Sequence, residues 1–318
     1  METAISIQHV NKHLGKRHIL KDVSLEAYTG EVFGFLGPNG AGKTTAIKLM
    51  TGLLLMEDGE IFICGHSLRT EFQAAIANIG AIVENPEMYP YMTGMQNLRQ
   101  YARMRDGVTE ERIREVAELV GLANRVDEKV KRYSLGMRQR LGIAQALLHN
   151  PKVLILDEPT NGLDAAGIKQ LRDLMKMLAH EQGICVFVSS HMMSEMELMC
   201  DRVGIITDGV VRTVQSISDL MEAYSGGTRE YIYEVDDANR AAAVLQADAK
   251  FMETCRGTTL SPTSFSVAFD KEHEKETLAA VNALLLSNGI TLYSVSQKAE
   301  PHLEDAFIDL TAGDAQIQ

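Results

Sequence analysis

Residues 32–36, Val-Phe-Gly-Phe-Leu, run straight into residues 37–45, Gly-Pro-Asn-Gly-Ala-Gly-Lys-Thr-Thr. An apolar run, a glycine-rich turn and a Lys-Thr pair heading an apolar-periodic stretch predict strand, phosphate-binding loop and helix. The spacing has a physical reason. A triphosphate needs several backbone N–H donors aimed at one anion, and only glycine-rich backbone curls tightly enough to supply them. Gly37, Gly40 and Gly42 give that freedom, with Pro38, Asn39 and Ala41 completing the loop and Thr45 following it. A helix starting near Lys43 turns its positive dipole end toward the same spot. Lys43 can reach the outer phosphates and the Thr44 hydroxyl can ligate Mg²⁺. A plain glycine-rich turn needs no Lys-Thr pair between strand and helix, so a nucleoside triphosphate site is expected.

Outward from the loop, Ala46, Ile47, Leu49 and Met50 fall at helical spacing, so this helix should pack on a sheet. Upstream, Ile5, Ile7 and Val10, then Val23-Ser24-Leu25, read as short strands and turns. From about Met95 to Asn124 the pattern is helical, with Thr109 as N-cap, Glu110 and Glu111 in the first turn, and Ile113, Val116, Ala117 and Val120 on one face. Three continuous apolar runs follow: Val153 to Leu156, Ile184 to Val188, and Val203 to Ile206. Runs of this kind are buried on both faces of a parallel sheet, and strands alternating with helices make an α/β domain. The helical stretch before Val153 should form a lobe of its own. Ser225-Gly226-Gly227-Thr228 is the best linker. Beyond it the order β-α-β-β-α-β predicts a small α+β, ferredoxin-like domain, closed by a helix carrying Leu303, Ala306, Phe307 and Leu310 on one face.

With 318 residues, the chain has room for a large domain and a smaller one. A net charge of −12 disfavours nucleic acid or an anionic membrane surface as the main partner. Met1-Glu2-Thr3-Ala4 has neither a basic nor an apolar leader, so no signal peptide is expected. No stretch approaches membrane-spanning length, and Leu53-Leu54-Leu55-Met56 reads as a short core segment. Cys64, Cys185, Cys200 and Cys255 lie far apart, as reduced core residues do, with no metal-site spacing.

Two further motifs carry chemistry. The run Val153 to Leu156 ends in Asp157-Glu158-Pro159, which places two acids at the carboxyl edge of the sheet, where α/β sheets bind ligands. Asp157 is placed to hold Mg²⁺ through water, and Glu158 to polarise an attacking water as general base. Tyr133-Ser134-Leu135-Gly136-Met137-Arg138-Gln139-Arg140 heads a helical run, offering a hydroxyl and backbone amides to an anion.

In this order, residues 4–215 resemble the ATP-binding cassette family, whose signature Leu-Ser-Gly-Gly-Gln is matched here at Ser134 and Gly136 but not at Tyr133, Leu135 or Met137. The resemblance implies a P-loop ATPase core sheet with a helical signature subdomain at about residues 90–150, within a nucleotide-binding domain of residues 1–224; an accessory domain takes residues 228–318. It implies ATP and Mg²⁺ as ligands, Glu158 and His191 as catalytic residues, and Thr44, Asp157 and Glu84 around the metal. Asn161-Gly162-Leu163-Asp164 looks like the family's D-loop, and His191, after Val188-Ser189-Ser190, like its switch histidine. A homodimer is implied, in which ATP at Lys43 of one copy is closed by Ser134 and Gly136 of the other.

Two departures stand out. Glu84 follows Ile79-Gly80-Ala81-Ile82-Val83 where most members have glutamine, and Leu14, beside His13, stands where an aromatic residue commonly stacks on adenine. Glu84 to Pro90 and Tyr133 to Met137 resemble the ATPases of bacterial bacitracin and lantibiotic export systems, and the closing Leu303 to Phe307 is similar to that group and to related drug and sodium exporters. That resemblance implies an integral membrane permease subunit as partner, no nucleic acid, and a cytoplasmic place on the inner face of the membrane. The Met192, Met193, Met196 and Met199 series is expected to be packing. The alternative is a soluble cassette ATPase acting on ribosomes or DNA. Such proteins usually carry two cassettes, long coiled coils or zinc-binding insertions, and this chain has one cassette, no heptad run and no Cys pairs.

Overall fold

Two twelve-residue strands, β1 (Thr3–Leu14) and β2 (Arg17–Tyr28), open the chain as one antiparallel hairpin. Short strands were expected here, and the difference has a visible cause. Register shifts interrupt the pairing, and His9 and Asp22 take left-handed backbone at φ 51° and 54°, so the inside–outside alternation is reset along the hairpin and conceals its length. The computed structural model describes residues 2–225, 228–248, 251, 256–270, 273–298, 302–305 and 307.

The chain continues through β3 (Val32–Leu36), α1 (Lys43–Met50), β4 (Asp58–Ile63), β5 (His66–Ser67), α2 (Phe72–Ala77) and β6 (Ile79–Ile82). Three helices follow, α3 (Gly94–Ala102), α4 (Glu110–Leu119) and α5 (Leu135–Leu147), which pack on one another. Thr109 caps α4 by accepting from the Arg112 amide, and Thr93 and Gln96 close a reciprocal capping box on α3. Then come β7 (Val153–Asp157), α6 (Ala165–His180), β8 (Cys185–Ser190), α7 (Met193–Met199), β9 (Arg202–Thr207) and β10 (Val210–Ser216).

Strands β2-β1-β4-β5 make an antiparallel sheet, and β10-β9-β3-β8-β7-β6 a second sheet, parallel except for β10 at its edge. Every residue of β3, β7 and β8 is buried, as their continuous apolar runs require. Ile5, Leu20 and Ile61 of the first sheet, Phe33, Ile155 and Phe187 of the second, and Ile47 and Met50 of α1 share one core. Truncating Ile155 or Phe187 to alanine would cost about 2–5 kcal/mol. Met193, Met196 and Met199 are buried packing residues. The Leu53–Met56 segment corrects the core reading: Leu54 and Met56 pack on the core, but Leu53 and Leu55 are 63% and 86% exposed. Helix α5 lies unusually close to β6 and the loop after it. A Cβ at Gly80 would stand 2.3 Å from the Ala146 carbonyl oxygen, and one at Gly142 would stand 2.6 Å from Pro86.

Contacts divide the chain into two units, the second spanning residues 218–306, with Phe307 grouped in the first. In the second, strands Thr228–Val235, Arg256–Ser261, Ser264–Asp270 and Leu292–Gln297 form an antiparallel sheet in the order second, third, first, fourth, the ferredoxin-like arrangement. Helices Ala238–Ala247 and Glu274–Ser287 cover it, burying Tyr233, Phe265, Val267 and Phe269 against Leu245 and Leu285. The central residues of the linker, Gly226 and Gly227, lie outside the described residues, as do Ala306 and Leu310 of the closing helix and Cys255. Leu303 is buried, and Cys64, Cys185 and Cys200 are free thiols.

Candidate active site

The strand–loop–helix order found in the sequence has a definite geometry. Gly40 and Gly42 take φ 86° and 112°, a region that costs an L side chain about 1–2 kcal/mol. Gly37 has no room for a side chain, since a Cβ there would stand 2.3 Å from the Ile206 carbonyl oxygen. Gly42 is the N-cap of α1, and no side chain caps this helix. Among the described residues, the Lys43, Thr44 and Thr45 amides have no hydrogen-bond partner, so three N–H groups and the helix dipole face the loop unspent. Lys43 is 5% exposed, and its Nζ donates to the Gly37 carbonyl at 2.6 Å and to Pro38 at 3.3 Å. A buried cation beside unspent amides is the donor set that a phosphate chain fits.

The parallel registers Leu36 with Ser190 and Asp157 with Ser189 bring the ends of β3, β7 and β8 to one edge of the sheet. Asp157 is 3% exposed; its Oδ1 accepts from the Ser189 hydroxyl at 2.6 Å, while its Oδ2 has no partner among the described residues. Glu158 leaves the strand on left-handed backbone, φ 50°, with its amide donating to the Ser189 hydroxyl at 3.0 Å and carbonyl at 3.2 Å. That turn sets its carboxylate between two nitrogen partners: Oε1 lies 3.3 Å from Lys43 Nζ, and Oε2 lies 2.8 Å from His191 Nδ1. Lys43, Asp157, Glu158 and His191, spread over 149 positions by their numbering, thus meet at one corner.

A divalent cation fits this corner in part. Asp157 supplies a buried carboxylate with an open oxygen, and Thr44 sits in the first turn of α1. No three His, Cys, Asp or Glu side chains converge among the described residues. A sparse protein shell suits Mg²⁺, which keeps waters and takes oxygens from the phosphates it accompanies. Glu84 also sits on left-handed backbone, φ 67°, but is 66% exposed and bonded to Lys48 at 2.8 Å. That lysine holds its carboxyl below the usual carboxylate range.

Ser134 and Gly136 are placed differently. Ser134 is exposed and caps α5, its hydroxyl accepting from the Met137 amide at 3.2 Å. Leu135 and Gly136 face Gly162 and Leu163, and Asp164 of that segment caps α6 through the Gly167 amide. Tyr133, in place of a signature leucine, is buried with its hydroxyl on the Arg125 carbonyl, and burial pushes its phenol up to about 12. At the β1–β2 turn, Leu14 is 45% exposed and His13 stacks on His18 with ring centroids 4.1 Å apart.

The ABC transporter family profile matches residues 20–161. An ABC transporter ATP-binding protein of Bacillus subtilis, YhcH, described as uncharacterized, is 48% identical over 98% of this chain and 97% of its own length. The chain belongs to the ABC transporter ATP-binding proteins. It is an ATPase subunit of that family, whose members power transport. Similar to this ABC protein, too, is the bacitracin transport ATP-binding protein BcrA of Enterococcus faecalis, 34% identical over 98% of each chain. Among solved structures, cbiO1 of Clostridium perfringens, part of the ABC transporter complex cbiONQ, is 25% identical with a TM-score of 0.65, covering 70% of this chain and 92% of its own. No helix among the described residues is long and apolar enough to cross a membrane. In this ABC protein, motif order found the loop, the two acids and His191, but passed over Ser189 and Lys48. The signal for Ser189 was the β7–β8 register, which sets it beside Asp157 across 32 residues of chain. Lys48 lies one and a half turns beyond Lys43 on α1 and shows no motif of its own.

Proposed function

We propose that this chain hydrolyses Mg²⁺-ATP as one of a pair of copies and drives export of a peptide antibiotic or another drug through a separate integral membrane subunit, from a cytoplasmic position on the membrane's inner face. The observation that carries the catalytic part is the Glu158 carboxylate, held between Lys43 and His191 beside buried Asp157. Likeness to the bacitracin transport protein along 98% of both chains supports the export part. Residues 1–224 would be the nucleotide-binding domain and residues 228–318 an accessory domain.

In this mechanism the unspent amides of Lys43, Thr44 and Thr45 and the loop from Gly37 to Gly42 bind the phosphates. Lys43 exchanges its carbonyl partners for phosphate oxygens. Magnesium, when bound, neutralises phosphate charge, and Thr44, Asp157 and Glu84 would hold it. Glu158 takes a proton from the attacking water, and His191, bonded to Oε2, fixes the direction in which that carboxylate points. Ser134 and Gly136 of the second copy close over the outer phosphate with the helix dipole of α5.

Purification of the tagged chain from detergent-solubilised membranes tests the partner, and its failure to bring down an integral membrane protein would count against it. A strain lacking the chain should become more sensitive to a bacitracin-class peptide. Equal sensitivity across a panel of peptide antibiotics and other drugs would remove the substrate class while leaving the ATPase reading intact.

A further inference from the structure

Ser189 entered the motif reading only as part of the run before His191, yet its hydroxyl bonds the Asp157 carboxylate and the Glu158 amide. It is fully buried on β8, where register pairs it with Asp157. A hydroxyl has one proton to donate and two lone pairs. Here the proton goes to Asp157 Oδ1 at 2.6 Å, and a lone pair accepts the Glu158 amide at 3.0 Å. Among the described residues no other group bonds the Asp157 carboxylate. Neighbouring Ser190 is spent elsewhere, its hydroxyl accepting from the Met192 amide and its carbonyl from the Gly37 amide.

We infer that Ser189 is a positioning residue for the hydrolytic centre. It aims the open oxygen of Asp157 at the metal position and pins the backbone turn that carries Glu158. Two physical points support this. A carboxylate anchored at one oxygen by a short bond presents the other in a fixed direction, which octahedral Mg²⁺ chemistry demands. And a non-glycine residue on left-handed backbone persists only where its surroundings over-determine it. The Glu158 amide, bonded to both oxygens of Ser189, is part of that constraint. The inference rests on the proposal that Asp157 serves the metal.

The test reads binding as well as turnover. ATP affinity is measured by calorimetry with Mg²⁺ and with EDTA for the full chain and for Ser189→Ala, Ser189→Cys and Asp157→Asn. Ser189→Ala should bind ATP in EDTA as the parent does, but lose roughly 10-fold of the affinity gained from Mg²⁺, as expected for a hydrogen bond to a charged group. Its turnover should fall by roughly the same factor or more. Ser189→Cys keeps the size and a weak donor and should fall between, and it supplies the comparison with Mg²⁺ and with EDTA if the alanine chain does not fold. Equal losses with Mg²⁺ and with EDTA, or none, would overturn the inference. If Asp157→Asn removes the Mg²⁺-dependent gain while the Ser189 variants keep it, only Ser189's role fails. If Asp157→Asn also keeps it, the metal reading itself fails.

Discussion

Glu158 and Glu84 are close counterparts with different surroundings. Each follows a strand of the parallel sheet at its carboxyl edge, each sits on left-handed backbone, and each faces a lysine of α1. The Glu158 side chain is 19% exposed, and its lysine is 5% exposed and already bonded to two loop carbonyls. The Glu84 side chain is 66% exposed, and Lys48 is 32% exposed. The ion pair at Glu84 is the shorter, 2.8 Å against 3.3 Å, yet water screens it. Burial, rather than closeness, separates the carboxylate whose ion pair lies in low dielectric from the one whose ion pair water screens. In low dielectric the same charges act several-fold more strongly on a developing transition state.

The strongest way to break this comparison is at the buried member. Glu158→Gln should slow phosphate release by roughly 10²-fold or more while leaving ATP affinity near the parent's, since positioning survives and water activation does not. Near-normal turnover would move the base elsewhere, with His191 the next candidate. The same variant should accumulate as a dimer with ATP and run as a monomer without it in sizing chromatography. Glu84→Gln should show no such trapped dimer, because hydrolysis continues; a monomer for Glu158→Gln under both conditions would sink the paired-copy reading.

At the exposed member the effects shrink. Glu84→Gln should keep basal turnover within about twofold, as exposed ion pairs contribute little. Its Mg²⁺ requirement should rise and its transport-linked activity should fall further than its basal activity. Glu84→Ala should lower both, because no oxygen ligand remains. Mg²⁺ titrations indistinguishable from the parent's in both variants would make Glu84 a solvated loop acid. The smallest expected effect is on titration. Lys48 lowers the folded-state pKa of Glu84, so the pair's contribution is full above the ordinary carboxylate range and is lost as pH falls through the lowered value. Lys48→Ala should move the Glu84 carboxyl resonance back up toward that range in an NMR titration, with little change in unfolding midpoint at neutral pH. An unmoved resonance would show that Lys48 does not hold this carboxylate in solution.

Legibility in the sequence followed how local each signal was. The strand before Gly37, the helix from Lys43 and the apolar runs of β7, β8 and β9 were readable because each lies within a few residues and full burial leaves no polar interruption. The ferredoxin-like order was readable from the succession of elements alone. Bulges hid the length of β1 and β2, since each reset the alternation on which strand reading depends. The left-handed turns at Glu84 and Glu158 were invisible because glutamate gives no hint of such backbone, as glycine or asparagine would. Ser189 was hidden by distance along the chain, and the exposure of Leu53 and Leu55 by a composition that ordinarily signals core.

Gly80 and Gly142 give the fold a mechanical property. With backbone and ring seated where side chains would otherwise stand, α5 can neither slide along β6 nor lift from Pro86 without breaking van der Waals contact. The helix spans 13 residues, about 20 Å, and carries Ser134 at its head. Pro86 presses on it near Gly142, eight residues from that head, or about 12 Å. A push on the Glu84–Pro90 segment would therefore bear directly on the helix that carries Ser134.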